Sequence, residues 1–262
     1  MQESTIPYCG SPPLPGHVLW NTDPTLVGAL LGVAAFYAWG ARGASRNTQL
    51  MFYSGWLVAA LALISPLCNL SVALFSARVT QHMVLVLVAA PLVAIGEPGR
   101  LFGWLPGRAR LAEMLGESAA TWLAAGLFAL VFWFWHMPGV YDATLRGDLA
   151  YWAMHVSVFG SAVILWIVLL RVSGAALLAA FFTGVQMGGL GAILTFAAQP
   201  LFAVHMGTTT PWGFSPLEDQ QLGGLIMWVP GGVLLTGYAL VGFGLWLRGL
   251  GDQASAYPAP AE

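Results

Sequence analysis

Long apolar runs broken by short polar clusters organise this chain. Seven runs stand out, at roughly 24–41, 50–66, 79–96, 119–136, 150–170, 174–198 and 222–247. A helix needs about 20 mostly apolar residues to cross a bilayer, and each run comes close to that length or exceeds it. The breaks between them carry helix-ending residues. Pro24 suits a first helical turn, Pro66 the end of the second run, Gly96-Glu97-Pro98-Gly99 the end of the third, and Pro138-Gly139 follows the fourth. Pro91 and Pro230 fall inside runs, which neighbouring helices in a membrane can accommodate. The pattern predicts an all-α polytopic membrane protein, a seven-transmembrane-helix bundle. Residues 1–23 form an extracytoplasmic segment, 24–248 the membrane domain, and 249–262 a flexible cytoplasmic tail.

Composition points the same way. Of 262 residues, 58% are hydrophobic and 8% charged, where a soluble domain carries about 25% charged residues. Residues 1–23 hold no basic cluster or apolar core and contain Glu3 and Asp23, so no signal peptide is expected there.

Arginine placement orients the bundle. Arg42, Arg46, Arg100, Arg108, Arg110, Arg171 and Arg248 fall on one side of the seven runs, and Arg78 and Arg146 on the other. The positive-inside rule puts the seven in the cytoplasm, hence the N-terminus outside and the C-terminus inside. Trp20, Trp39, Trp104, Trp135, Trp152 and Trp246 lie near run ends, as interfacial aromatics do.

The candidate chemistry is histidine. With this orientation all five, His17, His82, His136, His155 and His205, fall on the outer face, together with Cys9 and Cys68. Imidazole is the commonest side-chain metal ligand. His82, His136 and His155, one from each of three successive spans at similar depth, form the expected metal site. His205 and Met206 in the sixth loop are expected lid ligands. Four histidines have Met as a neighbour. Met makes up 9 of 262 residues, so chance supplies such a neighbour about one time in thirty. Thioethers favour Cu(I) and imidazole suits copper, so a His/Met set on an oxidising face points to Cu(I). Sequence neighbours on a helix point about 100° apart, however, and Met also fills gaps in apolar packing. Asp142 and Asp219 are candidates to orient a ligating imidazole through its second nitrogen, and Gln81 and Met83 flank His82. Asp219 also suits a helix N-terminus. Cys68 has three readings: a copper ligand, a partner for Cys9, or a small buried hydrophobe.

Other chemistries drop out. All nine basic residues are arginine, and without lysine there is no Schiff base. A net charge of −2 gives no sign of a nucleic-acid partner. No phosphate loop, nucleophile elbow or HExxH occurs, so the protein is expected not to be an enzyme. In the sixth run, GVQMGGLGA at 184–192 has glycines suited to close helix approach, with Gln186 as a polar tie.

Four stretches resemble one family. YCGSPPLPG before the first run, QHMVLVLVAAPLVAIGEP in the third, FWHMPGVYDATL after the fourth and DQQLGGLIMWVPGG entering the seventh are similar to the multi-pass CtaG-type cytochrome c oxidase assembly factors. The resemblance spans about residues 8–247. A single-span copper chaperone that shares the name is not similar. The resemblance implies a bacterial inner-membrane protein that takes copper from a periplasmic donor and delivers it to a haem-copper oxidase subunit. It also implies a second histidine four residues before the Gln-His pair, where this chain has Arg78. A positive charge there disfavours a cation unless a carboxylate compensates. Oligomeric state is left open, a homodimer being one option. The rival readings are a haem-binding redox protein with His82 and His155 as axial ligands, a copper importer or resistance permease with a path through Met187, and an oxidase-docking scaffold.

Overall fold

The computed structural model describes residues 6–102 and 108–255. Among the described residues the chain is all-helical, without strands. Among the described residues six helices are long and apolar enough to cross a membrane: α2 (Arg46–Ile64), α4 (Phe75–Ile95), the Gly116–Trp135 part of α5 (Arg108–Trp135), α7 (Asp148–Leu169), α8 (Gly174–Phe196) and the Pro216–Arg248 part of α9 (Pro216–Ser255). The first expected span is a shorter apolar helix, α1 (Pro24–Gly40), of 17 residues. Two short helices, α3 (Pro66–Ala73) and α6 (Pro138–Ala143), lie at one end of the bundle. Pro66 therefore opens a helix rather than closing one, and Ser65 caps its first turn. The last helix continues to Ser255, so the start of the expected flexible tail is helical and residues 256–262 lie outside the described residues.

The centre of the bundle is α4, the most enclosed of the six, with 61% of its apolar window buried. It packs against α2, α7 and α9. The charge at Arg78 places the start of this helix at 79 by sequence, but it starts at Phe75. The reason is a remote cap. The Asp219 carboxylate, from the first turn of α9, accepts from Phe75 N (2.6 Å), Ser76 N (3.2 Å) and Ser76 Oγ (2.5 Å). These are orphan donors of a helix N-terminus, and an anion is favoured there. Four residues thus join the helix, and Arg78 becomes an interior residue, 1% exposed.

Pro91 sits in α4 with a local adjustment. Residues Leu85–Ala89 form a π-helical turn in which Ala90 N donates to Leu85 O. Widening the turn relieves the clash between the proline ring and the preceding turn. It also deprives Val86 O of its ordinary partner, and Trp166 Nε1 of α7 donates to it at 2.8 Å. In lipid an unpaired carbonyl has no water to turn to, so such substitutions are required.

Cys9 and Cys68 form a disulfide, which selects one of the three readings of Cys68. It fastens the N-terminal segment to α3. Asn69 Nδ2 donates to Cys9 O (2.9 Å) and Ser11 O (3.0 Å), and Trp212 Nε1 of the α8–α9 loop donates to Pro13 O (3.0 Å). The segment, α3, α6 and that loop make a cap over one end of the bundle.

The α8–α9 contact is close because of Gly191 and Gly224. A Cβ on Gly191 would lie 2.8 Å from Gly224 O, whereas a Cβ on Gly189 would meet nothing within 4 Å. Gly191→Ala is expected to lose about 1–3 kcal/mol by overpacking. Gly189→Ala is expected to be neutral or stabilising, since Ala is the better helix former. Thermal unfolding in detergent separates the two, and equal melting of both variants would contradict the close contact.

Candidate functional site

The cap end of the bundle holds the histidines, but the fold divides them. His82 and His136 line one small cavity of ≈ 20 Å³ at the centre. On α4 its lining is Val79, His82, Met83 and Val86, the i, i+3, i+4, i+7 stripe of one helix face. α5 contributes Phe128, Phe132 and Trp135, and His136 follows at its end. Met154 of α7, Met187 of α8 and Met227 of α9 close the other sides. The volume admits about one water-sized occupant.

Of the two cavity imidazoles, His136 is free to accept and His82 has a buried nitrogen without a partner. His136 Nδ1 lies 2.7 Å from Phe132 O. A carbonyl only accepts, so Nδ1 carries the proton and Nε2 keeps its lone pair. A backbone carbonyl thus fixes this tautomer, the role expected of Asp142 or Asp219. His82 Nε2 is shut off from solvent and has no hydrogen-bond partner.

His155 is close to His82 but differently engaged. Their ring centroids are 5.2 Å apart, edge to face. His155 Nδ1 meets Tyr151 O at 3.0 Å and Nε2 meets Gln81 Oε1 at 3.4 Å. The Gln81 amide in turn donates to Ala62 O at 2.8 Å, tying α4 to α2. His155 borders a second, wholly apolar pocket of ≈ 170 Å³ between α1, α2 and α7. His205 is buried in the α8–α9 loop, with Nε2 2.8 Å from the Tyr141 hydroxyl. Met206 beside it is exposed. His17 is exposed in the N-terminal segment. Among the described residues no three of His, Cys, Asp and Glu are gathered closely enough to hold a metal ion. The three-imidazole arrangement expected for His82, His136 and His155 is not assembled, because α7 turns Met154 rather than its neighbour His155 to the cavity.

The expected carboxylates serve other ends. Asp219 caps α4 as described. Asp142 Oδ2 lies 3.5 Å from Arg146 Nη2, and its Oδ1 is buried without a hydrogen-bond partner. Neither forms a hydrogen bond to a histidine among the described residues. Arg78 also lacks a carboxylate partner there. Its Nη2 donates to Thr144 Oγ1 (2.6 Å) and Met154 Sδ (3.5 Å), and its Cζ stands 5.1 Å from the Tyr141 ring centroid. Nε and Nη1 have no hydrogen-bond partner. The cation–π contact offsets part of the cost of this buried charge.

Among its site residues, sequence reasoning named His82, His136 and Met83, which line this cavity, and did not name Met154 and Met227, which line it too. Met227 sits in DQQLGGLIMWVPGG, one of the stretches that carry the resemblance, which was the available signal. Met154 was visible only as a neighbour of His155.

Comparison with known proteins gives one match. The family model described as cytochrome c oxidase caa3 assembly factor (Caa3_CtaG) matches residues 30–249. No curated protein matches, and no solved structure matches.

Burial, with the charge of Arg78 adding to it, pushes the His205 imidazole down to about 3. The unfolded chain, with an ordinary histidine near 6.5, then binds the extra proton first. His205 therefore supplies stability that is present above about pH 6.5 and drains away as pH falls toward about 3, by up to about 1.4 kcal/mol per pH unit. His205→Gln should flatten this acid limb in thermal melts recorded from pH 7 to pH 4. An unchanged limb would remove His205 as its source.

Proposed function

The chain belongs to the cytochrome c oxidase caa3 assembly factor family, and on that premise we propose that it holds Cu(I) in the membrane and passes it to the copper centre of a haem-copper oxidase. It acts as a chaperone rather than an enzyme. The observation that carries the reading is the meeting of His82, with an unpartnered buried Nε2, and His136, with an accepting Nε2, at one ion-sized cavity beneath the cap.

The orientation belongs to the same proposal. α1, at 17 residues, is at the lower limit for a crossing, and it exposes Leu31, Phe36 and Trp39 as a lipid-facing helix would. Counting it as the seventh span puts the N-terminus and the C-terminus on opposite sides. The Cys9–Cys68 disulfide belongs in an oxidising compartment, and Arg42, Arg46, Arg100 and Arg171 lie beyond the other end. The cap is then periplasmic in a bacterial inner membrane, where a copper donor and the oxidase subunit can reach it.

Two observations favour a single ion over haem. The cavity of ≈ 20 Å³ is far smaller than a porphyrin. His82 and His155 are in edge contact, which leaves no slot for a haem plane between them.

Cells lacking this protein are expected to make oxidase with depleted copper and low activity. The wild-type gene should restore both, and His82→Ala should not, while reaching the membrane in normal amount. Copper content of the purified oxidase is the measurement, and full copper in the His82→Ala strain would overturn the reading.

A further inference from the structure

The lining of the central cavity carries more thioethers than imidazoles. Met83, Met154, Met187 and Met227 come to it from four different helices and meet His82 and His136 there. The chain has nine methionines, so four at one cavity is a concentration that apolar packing alone does not require. Three of them are among the most buried side chains, at 1% exposure for Met154, Met187 and Met227.

A water molecule is poorly suited to this space. A buried water makes about three hydrogen bonds to polar groups, and here the lining offers two imidazoles, thioethers and hydrocarbon, the Tyr141 hydroxyl being engaged by His205 and the Trp135 N–H by Ser157. A hard divalent ion is worse served, since it wants oxygen ligands and would face the unpaired charge of Arg78 with twice the repulsion of a monovalent one. Soft thioether sulfur with imidazole matches Cu(I). Thioethers and neutral imidazoles add no charge, so the ion adds a single positive charge to the bundle.

We propose that this cavity is a binding site for one soft monovalent metal ion, Cu(I), held chiefly by thioether sulfur from Met83, Met187 and Met227 together with His82 Nε2. The inference rests on the copper reading above and gives it a different ligand set, one in which His155 has no part. Met154 stands apart from the other three, because Arg78 Nη2 already donates to its sulfur. His136 lies within the same lining as a further nitrogen donor.

The test uses the full-length protein in detergent, titrated with Cu(I) against a competing chelator and with Ag(I) as a redox-silent probe. Wild type should bind one ion, with X-ray absorption showing Cu–S scattering. Met187→Leu and Met227→Leu conserve volume closely enough to keep the fold, which size-exclusion and melting curves would confirm. Each should weaken binding by about tenfold or more, while His155→Gln should leave it unchanged. Undiminished affinity in both Met variants, a purely nitrogen or oxygen shell, or no binding of either ion overturns the proposal. In cells, loss of binding in Met187→Leu with normal copper in the oxidase would keep the ion site and overturn delivery instead. Cu(I) bound through nitrogen alone, with copper-depleted oxidase in the His82→Ala strain, would keep delivery and overturn the thioether site.

Discussion

The Asp219 carboxylate holds the arrangement together. It reaches from the first turn of the last helix to the N-terminus of the central one and accepts three hydrogen bonds there. In water such a cap competes with solvent. In a bundle that water does not enter, orphan N–H groups have few other partners, so the constraint is stringent. Because it fixes where α4 begins, it fixes which face of α4 turns inward. That face carries Val79, His82, Met83 and Val86. Gly191 and Gly224 then bring α8 against α9, so that Met187 and Met227 stand on the same cavity.

Polar groups in the rest of the bundle follow the same demand. Trp166 supplies the hydrogen bond that the widened turn before Pro91 denies to Val86. Gln81 ties α4 to α2 and touches His155. A few buried polar atoms are exceptions among the described residues, and of the residues that carry them His82 lines the cavity. Arg78 keeps two buried nitrogens without a hydrogen-bond partner, and His82, Asp142, His205 and Thr209 one buried atom each. Unsatisfied buried groups are costly.

The excess of methionine beside histidine has a divided explanation. At His82-Met83 both partners line the cavity. At His136-Met137 only the histidine does, and Met137 is exposed. At Met154-His155 only the methionine does, and at His205-Met206 neither does. Adjacency in sequence thus marks the end of the bundle near the cavity, while the angle of about 100° between helical neighbours decides which partner lines it.

Read alone, the amino-acid order determined the helical class, the apolar runs, the end of the bundle where the histidines gather and the family. Each depends on local composition or on a short motif, and a bilayer makes local hydropathy a strong constraint. The tertiary structure alone decided that α4 starts at Phe75, that Arg78 is buried, that Cys9 pairs with Cys68, that Asp219 is a cap and that His155 faces away from the cavity while Met227 faces into it. These are matters of helix rotation and of contacts between residues as far apart as 144 positions. No local pattern records them, because they are settled by which hydrogen bonds and which close contacts can be satisfied together.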